Sequence, residues 1–128
     1  MSHTLTTRSV DDLVARARAT YVRVDPEQAY DDLSRGALLV DIRPAAQRAA
    51  EGTVPGALVI ERNVLEWRLD PTGEARIDEA VDHDVRVILL CSQGYASSLA
   101  AASLVGLGLH RATDVIGGYH ALKGVLVY

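Results

Sequence analysis

Apolar residues at Val10, Leu13, Val14 and Ala17 follow Ser9 with the spacing of a helix that buries one stripe, and Ser9 stands at the N-cap. This first helix is predicted over Ser9–Thr20, and Tyr21–Val24 is then a short predicted strand. Asp25-Pro26-Glu27-Gln28 starts a second helix with an N-cap Asp, Pro at the first helical position and Gln three residues after the cap. Gly36 closes it where left-handed backbone is usually needed. Ala37–Asp41 is an apolar run ending on a charge, the pattern of a strand covered on both faces.

Downstream, Ala45–Ala50 reads as helix, and Val54-Pro55-Gly56 turns the chain into a strand over Ala57–Ile60. Val64, Leu65 and Trp67 suggest a helical turn, Asp70-Pro71-Thr72-Gly73 a reverse turn, and the rest of 61–84 loop or short helix. Val85–Leu90 is the most apolar strand of the chain. An Ala-rich helix over Ser97–Val105 ends at Gly106 and Gly108, Thr113–Ile116 is a last strand, and Gly118–Leu126 a closing helix. Helices alternate with strands that lack a polar face, which argues for an α/β fold with a parallel sheet between helical layers.

Composition narrows this picture. A chain of 128 residues that is 48% hydrophobic suits one domain, 1–128, with a substantial core. Phe is absent, so Ala, Val, Leu and Ile must build thin, close-packed layers. The net charge of -4 and the lack of a basic cluster, with Lys only at 123, exclude a nucleic-acid footprint. The single cysteine allows no disulfide within the chain and fits a reducing, cytoplasmic setting. Met1–Val10 is polar, unlike a signal peptide, and the apolar stretch Leu99–Leu109 is too short and too interrupted to span a membrane. A cytoplasmic protein without a membrane partner is expected.

That cysteine carries the chemistry. Cys91 directly follows the most apolar strand, and a helix follows the loop, the place where open parallel sheets bind ligands. Between them, Ser92-Gln93-Gly94-Tyr95-Ala96 is long enough to curl several N–H groups toward the sulfur, and Gly94 permits the torsions. Converging N–H groups and a helix N-terminus favour an anion at their centre, so a reactive thiolate is expected. A cysteine ending a buried strand can equally be a small hydrophobe. Its position at the first loop residue, outside Val87-Ile88-Leu89-Leu90, favours the reactive reading.

Four segments in order resemble one family. Asp41-Ile42-Arg43 resembles a D-(V/I)-R motif, and Gly52-Thr53-Val54-Pro55-Gly56-Ala57 a G-H-I-P-G-A motif. Cys91-Ser92-Gln93-Gly94-Tyr95-Ala96-Ser97 resembles a C-x-x-G-x-R-S active loop, and Val115-Ile116-Gly117-Gly118-Tyr119-His120-Ala121 an L-x-G-G-(F/Y)-x-A-W segment. These are motifs of the rhodanese-like family, the single-domain sulfurtransferases. The resemblance implies a three-layer α/β/α sandwich with a five-stranded parallel sheet, with residues 1–20 as an N-terminal helical extension. It also implies that Cys91 takes sulfane sulfur from a donor as a persulfide and passes it to a thiophilic acceptor. Ser92, Gln93, Gly94, Tyr95, Ala96 and Ser97 would form the anion-binding loop, and no metal or organic cofactor is implied. The partners are then a small-molecule or protein sulfur donor and acceptor, and the chain is expected as a monomer or homodimer.

The sequence departs from the pattern at Ala96, where many members carry Arg, at Thr53 for His, at Gln47-Arg48 for an acidic–aromatic pair, and at Leu122 for Trp. The spacing from Asp41 to Gly52 is one residue longer. Without the loop Arg, thiosulfate is expected to be a poorer donor than a persulfide. Arg62, after the third strand, is the candidate for the missing charge, with an ordinary exposed Arg as the alternative. Glu66 should face the same side, and Trp67 either roofs the pocket or packs over the sheet. Asp41 is expected to fix loop backbone by hydrogen bonds and Arg43 to pair with Asp41 or a neighbouring carboxylate, both mostly as architecture, and Ser97 either touches substrate or caps the helix. The histidines at 3, 83, 110 and 120 show neither metal-ligand spacing nor an obvious base for Cys91. A phosphatase needs an Arg closing the loop, which Ala96 and Ser97 cannot supply. A non-catalytic binding or redox-sensing module is the remaining alternative.

Overall fold

The computed structural model describes residues 8–126, so His3 and the rest of the polar start lie outside the described residues. The first helix, α1 (Val10–Arg18), begins with a capping box. Ser9 Oγ accepts from Asp12 N at 3.1 Å and the Asp12 carboxylate accepts from Ser9 N at 3.0 Å. Only Val14 and Ala17 of its apolar stripe are buried, where α1 lies against the later, Ala- and Ser-rich helix α5 (Ala96–Gly106). Val10 and Leu13 stay exposed.

The second helix, α2 (Pro26–Ser34), is capped by Asp25, whose carboxylate accepts from Gln28 N at 2.8 Å. Then come β1 (Leu38–Asp41), α3 (Ala45–Glu51), β2 (Leu58–Val59), a 3-10 turn at Arg62–Val64, and α4 (Leu65–Leu69). The chain continues through β3 (Val87–Leu90), α5, β4 (Thr113–Asp114) and α6 (Gly118–Leu122). All strand pairs are parallel and the order is β2-β1-β3-β4.

The sheet has four strands, not the five expected. Tyr21–Val24 contributes only one parallel bridge, Val24 to Val115. Beyond Val24 the chain cannot pair further because Asp25 and Pro26 start α2 at once, and proline has no N–H to donate to a ladder.

Helices cover both faces, and strand alternation divides the core. Val87, Leu89 and Cys91 join Val40, Leu65, Leu69, Ala100, Ala101 and Leu104 on one face. Ile88 and Leu90 join Leu39, Ala29, Val54, Tyr119 and Leu122 on the other. All four residues of β3 are fully buried, which explains a strand without a polar position. Among the described residues no helix is long and apolar enough to cross a membrane.

Candidate active site

β3 delivers Cys91 to the carboxyl edge of the sheet, beside β1, where Asp41 is the register partner of Leu90. The chain then curls back toward α5. Gly94 holds the curl at φ +85°, and a Cβ there would lie 2.9 Å from the Val115 carbonyl oxygen. The curl aims two backbone donors at the sulfur: Gly94 N lies 3.2 Å and Ser97 N 3.3 Å from Cys91 Sγ. Ser97 is the second residue of α5, so its N–H is one of the donors that a helix N-terminus leaves without an internal partner. Ser97 Oγ is 3.2 Å from the same sulfur, and Cys91 is nearly buried.

The start of α6 closes the loop from below. Tyr119 N donates to the Cys91 carbonyl at 2.8 Å and His120 N to the Ser92 carbonyl at 3.2 Å. This approach requires Gly118. A Cβ there would sit 2.6 Å from Cys91 O and Gly94 N, and its φ of +63° is itself left-handed.

Behind the loop, the wholly buried Asp114 accepts from five donor atoms: Ser97 Oγ at 2.7 Å, Ser98 Oγ at 2.8 Å, Tyr21 OH at 2.6 Å, and Arg23 Nε and Nη2 at 2.9 and 3.2 Å. Burial opposes its charge. The hydrogen bonds from Arg23, Tyr21, Ser97 and Ser98 outweigh that and hold the carboxyl below the usual carboxylate range. Burial and the neighbouring Asp114 push the Tyr21 phenol far upward, so it stays a neutral donor.

On the other side, Glu51 Oε1 accepts from Ser92 Oγ at 2.8 Å and from Arg43 Nη1 at 3.1 Å. Its carboxyl is held low by the Ser92 hydroxyl first, then by Arg43 and His120. The buried Arg43 grips Asp41 with two nitrogens, at 3.0 and 2.7 Å, donates to Gly52 O, and stacks 4.2 Å from the Tyr119 ring centroid. Asp41 and Arg43 thus join the end of β1 to α3 and α6, and neither reaches the sulfur by a hydrogen bond.

A family model for the rhodanese-like domain matches residues 25–124. The chain belongs to the rhodanese-like family. The thiosulfate sulfurtransferase GlpE of Pseudomonas entomophila is 33% identical over 99 residues, covering 77% of this chain and 82% of that protein. Among solved structures, a Rhodopseudomonas palustris protein of unknown function, described as a possible tyrosine phosphatase, is similar with a TM-score of 0.81 at 24% identity. That likeness covers 97% of this chain and 95% of the other. The human single-domain sulfurtransferase TSTD1 has a TM-score of 0.65 at 24% identity, over 82% of this chain and 97% of that one. These structural likenesses bear on the fold.

The rhodanese-like loop gathers Cys91, Gly94 and Ser97 around the sulfur and turns other candidates away. Gln93, Tyr95 and Ala96 are exposed at the rim, and Ser92 points to Glu51. Ser97 does not cap α5; the N-cap is Tyr95, without a side-chain bond, and the Ser97 hydroxyl turns inward. Arg62 bonds to Glu66 at 3.0 Å, and Glu66 in turn binds Ser103 of α5; among the described residues Arg62 makes no hydrogen bond to the Cys91 loop. Trp67 is 64% exposed, so it does not pack over the sheet. His110 pairs with Asp84, and His120 faces Glu51 across 3.8 Å.

The residues that sequence reasoning missed are Asp114, Arg23, Tyr21 and Arg18. Two faint signals existed: an acid opening the last apolar strand at Asp114, and an Arg inside the short predicted strand Tyr21–Val24. Both are the polar interruptions that a parallel sheet tolerates only when they are paired.

Proposed function

We propose that the protein is a sulfurtransferase in which Cys91 carries sulfur as a persulfide. The thiolate attacks the sulfane sulfur of the donor; with thiosulfate, the donor's S–S bond breaks and sulfite leaves with the bonding pair. The new persulfide is then attacked at its outer sulfur by a thiophilic acceptor, such as cyanide or a thiolate, and the Cys91 thiolate leaves. Thiolate and persulfide are both anions, so one set of N–H donors serves both states. The observation that carries this reading is the convergence of the Gly94 and Ser97 N–H groups on Cys91 Sγ. The thiosulfate sulfurtransferase relative, alike over most of its length, supports the reaction class.

Phosphatase chemistry fits less well, despite the Rhodopseudomonas palustris description. A phosphoryl group needs a bidentate Arg over the nucleophile. Here Arg18 and Arg23 direct Nη2 to the Gly94 carbonyl oxygen.

The test is intact mass after exposure to thiosulfate and to a low-molecular-weight persulfide. One added sulfur, absent in Cys91→Ser and discharged by cyanide, is expected. No gain with either donor would leave a binding or redox-sensing module.

A further inference from the structure

The Gly94 carbonyl oxygen accepts hydrogen bonds from two guanidiniums, Arg18 Nη2 at 2.7 Å and Arg23 Nη2 at 2.9 Å, and Ser98 Oγ, whose one proton is directed to Asp114, lies 3.2 Å away. A carbonyl has two lone pairs, and two guanidiniums on one backbone oxygen exceed what burial requires. Each arginine is itself held. Arg18 Nε donates to Ser98 Oγ at 2.9 Å and its guanidinium carbon lies 5.4 Å from the Tyr95 ring centroid. Arg23 pairs with the wholly buried Asp114. Both residues precede the family-matched stretch 25–124, and residues 91–98 of the loop carry no charged side chain.

We propose that Arg18 and Arg23 are positioning residues of the Cys91 loop, supplied by the N-terminal segment where the loop lacks a cation of its own. Gly94 must be glycine, because its φ is +85° and a Cβ would strike the Val115 carbonyl. Glycine is also the residue least able to hold its own conformation. Its N–H lies 3.2 Å from the sulfur, and one residue's torsions connect that N–H to the clamped carbonyl. Fixing the carbonyl from behind therefore keeps the donor aimed. The role deepens the sulfurtransferase reading and rests on it for its purpose, but the aim of the loop is measurable without sulfur transfer.

The test compares Arg18→Ala, Arg18→Lys and Arg16→Ala in the full chain. Arg16 is exposed on the same helix, so its loss makes the same change of net charge away from the loop. The readouts are the rate of Cys91 alkylation by iodoacetamide at neutral pH, the ultraviolet absorbance of the thiolate, and the unfolding midpoint. Arg18→Ala should slow alkylation roughly three- to tenfold, the effect of one lost hydrogen bond, and lower the thiolate absorbance. Arg18→Lys should recover much of both through one donor, and Arg16→Ala should match the parent. Equal rates in Arg18→Ala and Arg16→Ala would overturn the proposal. So would losses in both Arg18 variants that merely track the unfolding midpoint. If the parent takes up no sulfur while Arg18→Ala still slows alkylation and Arg18→Lys restores it, the clamp stands and the sulfurtransferase reading falls.

Discussion

Asp114 and Cys91 are joined through one hydroxyl: Ser97 Oγ lies 2.7 Å from Asp114 Oδ2 and 3.2 Å from Cys91 Sγ. The hydroxyl has one proton and two lone pairs, so its direction follows the charge on sulfur. With its proton directed to Asp114, it accepts from a neutral thiol. Turned toward sulfur, it donates to a thiolate or persulfide, and Asp114 keeps its bonds from Tyr21, Arg23 and Ser98. The buried carboxylate is thus satisfied in both states of the site.

Ser97→Ala removes that adjustable donor while leaving the Ser97 backbone N–H on the sulfur. Folding stability should fall by only about 1 kcal/mol, because Asp114 retains its other donors. Cys91 alkylation at neutral pH should slow by up to about tenfold, which corresponds to one hydrogen bond to an anion. An unchanged alkylation rate in a folded Ser97→Ala protein contradicts a role for the hydroxyl at the sulfur.

The folded carboxyl of Asp114 is held below its ordinary value, so its contribution is a stability present above the unfolded value, about pH 3.9, and lost as pH falls through the folded value. Asp114→Asn should cost about 3 kcal/mol at pH 7, since it leaves the Arg23 charge without its partner. It should also make the acid limb of stability shallower. The limb should persist in part, because Asp32, Glu51, Glu66 and Asp70 are held low as well. Urea unfolding from pH 7 to pH 3 measures both, and equally steep acid limbs in parent and variant would refute the assignment.

Gly118→Ala tests the close approach of α6 to the loop. The added methyl meets backbone at 2.6 Å, from the Cys91 oxygen and the Gly94 nitrogen, and neither atom belongs to a side chain that can swing away. Overpacking and strained torsion together should cost about 1–3 kcal/mol. The displaced Gly94 N–H should also slow Cys91 alkylation. A variant with lowered stability but parental alkylation would show that α6 supports the fold without shaping the loop.

The parts of this site legible in sequence were those fixed by local rules. Val87-Ile88-Leu89-Leu90 announces a doubly buried strand, Gly94 a special torsion, and Cys91 the loop between them. The motif order extended this to the family and to Gly117-Gly118. Illegible were the contacts made across the chain. Asp114 lies 91 residues from Arg23 and 17 from Ser97, and nothing in local spacing joins them. Arg62 shows the same limit: its place after β2 suits a loop cation, and its bond to Glu66, one helical turn on, is a contact that this place does not announce. The fifth strand failed on a boundary, since Pro26 ends pairing after Val24.

Arg62→Ala separates the cation chosen from sequence from those found in the structure. Its partner Glu66 keeps the Ser103 hydroxyl, and the Arg62 side chain is 42% exposed, so water takes over much of what the ion pair supplied. Exposed pairs of this i, i+4 kind are worth about 0.3–0.5 kcal/mol, and the unfolding midpoint should move little. Arg62 makes no hydrogen bond to Cys91, Gly94 or Ser97 among the described residues, so Cys91 alkylation and uptake of sulfur from thiosulfate should stay at parental rates. The salt dependence of thiosulfate uptake should also be unchanged, since a lost guiding charge would weaken it. A severalfold loss of thiosulfate uptake with normal alkylation would instead place Arg62 on the donor's path, and the cations at Gly94 would then account for the thiolate but not for the donor.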